Sequence, residues 1–186
     1  MSATALHAHR LASGFADALH AQGPAPDRTA EMQTYGQFIG DWTMDAIIHV
    51  DDGTKHTGHG EIHFGWVLEG RAIQDVWSLP GVFYGTTLRI YDRGLDAWHI
   101  LWSDPLRQFY ARQIGRARGA EIVQEGADAA GTPLRWRFTA ITPASFHWIG
   151  ERSLDACATW RVQAEFFARR SPALPLTLQH MDGRPA

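Results

Sequence analysis

Ala97-Trp98-His99-Ile100-Leu101-Trp102 places Trp98, Ile100 and Trp102 at alternate positions, the spacing that puts them on one face of a β-strand. The same period of two recurs at Phe64 and Trp66, at Trp136 and Phe138, at Phe146 and Trp148, and through Trp160, Val162, Ala164 and Phe166. With eight tryptophans in 186 residues, several strands each carry one aromatic face. A sheet that curls on itself buries those faces together.

Working outward, strand-like runs at 42–50, 58–67, 71–79, 83–91, 96–103, 107–115, 119–125, 133–141, 145–150 and 158–169 are separated by turn residues. Asp51-Asp52-Gly53, Glu69-Gly70 and Asp92-Arg93-Gly94 are examples. The expectation is a mainly β chain, an up-and-down antiparallel barrel of about 8–10 strands. The barrel domain spans residues 27–170, after an N-terminal helix and linker over 1–26 and before an irregular tail over 171–186. Apolar spacing predicts the helix over 4–21, ended by Gly23-Pro24-Ala25-Pro26. Asp27 then caps a second short helix that turns Met32, Tyr35 and Phe38 or Ile39 inward.

An apolar fraction of 45% and a charged fraction of 20% are those of a soluble globular domain. A net charge of -3 argues against a nucleic-acid partner, and Arg107, Arg112, Arg116 and Arg118 read as a solvated face because Asp104, Glu121 and Glu125 lie near them. No apolar run reaches the ~18 residues of a membrane span. The lone Cys157 excludes an internal disulfide and fits a cytoplasmic protein. His7, His9 and Arg10 break any hydrophobic core of the signal-peptide kind.

Phe38-Ile39-Gly40-Asp41-Trp42 resembles the G-x-W start of the first strand in calycin-type barrels, the lipocalin and fatty-acid-binding class, where the Trp plugs the closed end. Trp66 through Arg71, Gly85 through Asp92, Trp136-Arg137-Phe138 and Ser153 through Trp160 together resemble a bacterial lipocalin-like domain family of unknown function, over roughly residues 35–170. One departure stands out: a Gly pair is usual in the last turn, and this chain has Ala156 and Cys157 there. The resemblance implies a barrel with a small-molecule pocket and implies no particular chemistry.

The aromatic face thus nominates Trp42, Phe64, Trp66, Trp77, Trp98, Trp102, Trp136, Trp148 and Trp160 as ligand-lining residues, with the Tyr84 and Tyr91 hydroxyls at the rim. Asp75 shares a face with Ile73 and Trp77, where desolvation would raise its pKa as acid/base work requires. The structural alternative pairs Asp75 with Arg71, Arg89 or a backbone amide. His59, Glu61 and His63 project together from one strand and suit Zn or Fe if a remote ligand such as His99 or His147 joins them. Alternation turns that stripe outward, which favours a polar surface. Haem needs an inward axial His, and His49, His99 and His147 fall out of phase with the tryptophans, leaving His180 in the tail.

Four functions follow. The first is binding of a small hydrophobic or aromatic molecule, without a cofactor. The second adds cofactor-independent isomerase, cyclase, hydratase or lyase chemistry at Asp75. The third is a metal or haem protein. The fourth is a solid, self-associating barrel that dimerises through outward Leu101, Ile149 or Phe167.

Overall fold

Alternation in the sequence becomes alternation in space through ten consecutive strands. The computed structural model describes residues 14–172. They form α1 (Phe15–Leu19), β1 (His20–Ala21), a 3-10 turn (Pro26–Arg28) and α2 (Thr29–Gly36). The strands follow: β2 (Gly40–His49), β3 (Lys55–Val67), β4 (Ala72–Leu79), β5 (Phe83–Asp92) and β6 (Ala97–Asp104), then β7 (Phe109–Arg118), β8 (Glu121–Asp128), β9 (Pro133–Thr139), β10 (Ser145–Arg152) and β11 (Arg161–Arg170). From β2 onward each strand pairs antiparallel with the next, and β11 returns to β2, closing the barrel and leaving it no long free edge.

The helix expected over 4–21 differs in the part described. It stops at Leu19, because His20 and Ala21 become extended and pair with Val67 and Trp66 at the end of β3. The expected tail, including His180, lies outside the described residues from 173 on. No described helix is long and apolar enough to cross a membrane.

α2 lies across the closed end, and Met32, Tyr35 and Phe38 bury completely, as their spacing predicts. Trp42 sits against this floor, its indole N–H donating to the Phe38 carbonyl at 2.7 Å. Arg170, at the end of β11, lies over the Trp42 ring at 4.1 Å. Its guanidinium donates to the carbonyls of Ile39 at 2.6 Å, Gln37 at 2.8 Å and Pro143 at 2.8 Å. One side chain thus ties the last strand to the residues that follow the helix.

Large inward rings are matched by inward glycines. A Cβ on Gly85 would stand 2.5 Å from the Trp102 ring, and one on Gly150 would stand 2.5 Å from Trp148. The face expected to run Trp160–Val162–Ala164–Phe166 is split by a bulge. Gly150 faces Ala164 but Glu151 faces Val162, so Phe166 and Ala164 point in while Trp160 points out. There the Arg135 guanidinium covers the Trp160 ring at 4.3 Å.

The turn before β11 explains the departure at Ala156 and Cys157. Both take left-handed backbone, with φ of 53° and 71°, the conformation a Gly pair adopts freely. Ser153 Oγ accepts from the Cys157 N–H at 2.9 Å, and Asp155 accepts from the Thr159 N–H at 2.8 Å. The Thr159 hydroxyl, the Thr159 N–H and the Ser153 hydroxyl all donate to Asp155 and hold its carboxyl down at about 2.

Replacing Ala156 and Cys157 together by Gly is expected to raise unfolding free energy by about 0.5–1 kcal/mol, measured in urea, as relieved left-handed strain exceeds the added chain entropy. Arg170→Lys keeps the charge but loses the forked donors, and is expected to cost about 1–3 kcal/mol in the same assay.

Candidate functional site

Inside the barrel, polar groups and rings are layered. Above the floor, Asp75 on β4 and Arg89 on β5 are fully buried and in direct ion-pair contact. Asp75 also accepts from the Thr87 N–H at 2.9 Å. Three rings wrap the guanidinium: Tyr35 at 5.0 Å, Phe64 at 5.5 Å and Phe138 at 5.8 Å. Burial pulls the Arg89 pKa down to about 10, which leaves it protonated at neutral pH with Asp75 as its counter-ion. Burial also pushes the Tyr35 hydroxyl well above its ordinary value, so it stays protonated.

Toward the open end, five rings form a closed circuit. Phe83 meets Trp102 at 6.2 Å, Trp102 meets Trp136 at 6.2 Å, and Trp136 meets Trp148 at 5.6 Å. Trp148 stacks flat on Phe166 at 4.8 Å, and Phe166 returns to Phe83 at 5.7 Å. Trp77 packs below, 5.7 Å from Trp148 and 6.1 Å from Phe64, joining this collar to the floor. Trp102 and Trp136 keep part of their surface in solvent, as Trp66 and Tyr91 do at the other end, while Tyr35, Phe38, Trp42 and Trp98 are buried.

The residues expected to line one ligand face divide into three groups. Trp102, Trp136 and Trp148 meet at the collar, with Trp77 beneath. Trp42, Phe64, Trp66 and Trp98 belong to the closed end, where Trp66 packs on Gly36 of α2 and Trp98 meets Tyr35 edge-on at 4.9 Å. Trp160 and Tyr84 are corrections, because both lie outside. Tyr84 is 58% exposed: the β4–β5 register runs unbroken and pairs it with Ser78 on the outer face. Tyr91 lies at the closed end, beside Trp98 at 5.6 Å, and not at the rim.

His59, Glu61 and His63 project outward, in phase with the alternation. The imidazoles turn sideways to β2, His59 to Asp45 at 2.7 Å and His63 to Asp41 at 2.7 Å. His63 stands 3.6 Å from Glu61. Among the described residues no three His, Cys, Asp or Glu side chains converge as a metal would require. His99 pairs with Asp92 at 3.1 Å, while His49 and His147 flank Glu165 at 2.9 and 3.1 Å, all outside the barrel.

Two interior residues escaped the sequence reading. Gln113 on β7 and Gln124 on β8 are buried beside the collar. Their strands lack inward rings there, so no aromatic period marks them. The signal was on the other face: Arg112 and Arg116 point out, which puts Ala111, Gln113 and Gly115 inside.

Fold and interior together define a ten-stranded calycin-like barrel with an aromatic open end. The same fold occurs in Rv2717c from M. tuberculosis, with a TM-score of 0.57 and 10% identity over 80% of this chain and 99% of that one. It occurs also in the S-type phycobiliprotein lyase CPES from Guillardia theta, with a TM-score of 0.58 and 11% identity over 76% of this chain and 93% of that one. No family model and no curated protein matches the sequence. The likeness to these two structures is one of fold.

Asp75→Asn strands the buried Arg89 charge and is expected to cost about 3–5 kcal/mol in urea unfolding, with Asp75→Leu plus Arg89→Met recovering most of the loss. A destabilisation under about 1 kcal/mol would contradict this structural role.

Proposed function

We propose that this barrel binds a small, flat, apolar or aromatic molecule at its open end, on the collar formed by Phe83, Trp102, Trp136, Trp148 and Phe166. The observation that carries the proposal is the closed ring circuit at the mouth, in which two tryptophans stay partly exposed. A barrel filled only for stability gains most by hiding its largest side chains completely, as the closed end does with Trp42 and Trp98 though not with Trp66. Indole faces left at a mouth offer broad, rigid stacking surface with little entropy to lose.

Binding, not acid/base turnover, is the activity we assign to this end of the barrel. Asp75 lies below the collar, is buried, and has its charge taken up by Arg89. The phycobiliprotein lyase shares the barrel scaffold but little sequence, so it supports the architecture and not the chemistry.

Quinoline, neutral at pH 7 and about the width of one indole, is a suitable probe. Titration is expected to give saturable heat by calorimetry. Trp102→Leu or Trp136→Leu is expected to weaken it about five- to tenfold, the worth of an aromatic pair. Tyr84→Ala, on the outer face, is expected to leave affinity unchanged. Equal binding by all four proteins, or none by the parent, would reject the collar as the site.

A further inference from the structure

The collar has a polar wall. Between Trp102 on β6 and Trp136 on β9 run β7 and β8, whose inward residues at this height are Ala111, Gln113, Gln124 and Gly126. Gln124 lies directly across from Trp136, and Ala111 directly across from Trp102. Gln113 is 1% exposed and Gln124 is 0% exposed. Gln113 Nε2 donates to the Gln124 backbone carbonyl at 3.3 Å, but Gln113 Oε1 and both Oε1 and Nε2 of Gln124 have no hydrogen-bond partner. Gln124 stands near the Tyr35 hydroxyl without completing a bond to it.

Three unpartnered amide atoms are costly in an interior that already holds Asp75, Arg89 and the Tyr35 hydroxyl, each forfeiting its bonds to water. Leucine at either position would fill similar volume without that penalty. Their neighbours narrow what they could recognise. Arg89 is already neutralised by Asp75, and Tyr35 is held protonated, so this layer offers a ligand no uncompensated charge. A primary carboxamide presents a donor beside an acceptor, and its complement is another donor–acceptor edge of the same kind.

We infer that the collar selects, among flat aromatic molecules, those carrying an uncharged cyclic-amide edge, with the ring against Trp102 and Trp136 and the N–H and C=O on Gln124 and Gln113. This rests on the collar being the binding site and adds the chemistry of its occupant. Gln113 and Gln124 then set specificity, and Ala111 and Gly126 leave the wall thin enough for the edge to approach.

The test compares four compounds by calorimetry on the full chain: quinoline, 2-quinolone, 1-methyl-2-quinolone and quinoline-2-carboxylate. 2-Quinolone is expected to bind about tenfold or more tightly than quinoline, and methylation of its nitrogen is expected to abolish that gain. Quinoline-2-carboxylate is expected to bind worst. Gln124→Leu and Gln113→Leu are expected to remove the preference, so that each variant binds 2-quinolone no more tightly than it binds quinoline. Both variants should also melt no lower than the parent, so a folding defect would not imitate the result. Equal affinity for quinoline and 2-quinolone, or a preference that survives both leucine variants, would overturn the amide assignment and leave the collar standing. No binding of any compound would overturn both.

Discussion

Shared lumen volume is the constraint on which the rest of this structure depends. In a closed ten-stranded barrel every second side chain competes for the same interior, so a ring fits only where an adjoining position gives way. Gly85 gives way to Trp102, Gly150 to Trp148, and Gly115 to the Tyr35 hydroxyl, which would lie 2.4 Å from an added Cβ. Those concessions determine where rings meet each other and where the wall stays thin. The same economy holds on β2, β3, β7 and β8, which carry no inward ring at collar height.

The two ends of the barrel solve different problems with similar residues. At the closed end α2 supplies Met32 and Tyr35, the turn after it supplies Phe38, Trp42 donates to the Phe38 carbonyl, and Arg170 gathers three carbonyls that the helix terminus and loops leave free. A single ion pair, Asp75 with Arg89, is tolerated because rings surround the cation and a backbone N–H completes the anion. At the open end no helix covers the described barrel, and the rings close on one another instead.

Strands and their order were legible because period-two alternation survives wherever one face carries Trp or Phe, as in Trp98–Ile100–Trp102 and Trp136–Phe138. The closed-end helix was legible from Met32, Tyr35 and Phe38. Trp160 was not, because one extra residue opposite Gly150 reverses the face without altering composition. Tyr84 was misplaced because flanking glycines left its register open, and the ladder with β4 settles it outside. Gln113 and Gln124 were invisible for a third reason: a wall of Ala, Gly and Gln has no hydrophobic period. Asp75 was recognised as anomalous from its neighbours, but the choice of Arg89 over Arg71 depends on a cross-strand diagonal that only the register supplies.

Eight tryptophans provide their own reporters. Each contributes one indole N–H signal to a nitrogen-15 correlation spectrum, and quinoline titration would move those it reaches. The account predicts saturable shifts for Trp102, Trp136 and Trp148, with Trp42 unmoved behind its bond to Phe38 and Trp160 unmoved on the outer face. Shifts confined to Trp160, or a spectrum indifferent to the ligand, would contradict a binding site at the aromatic collar.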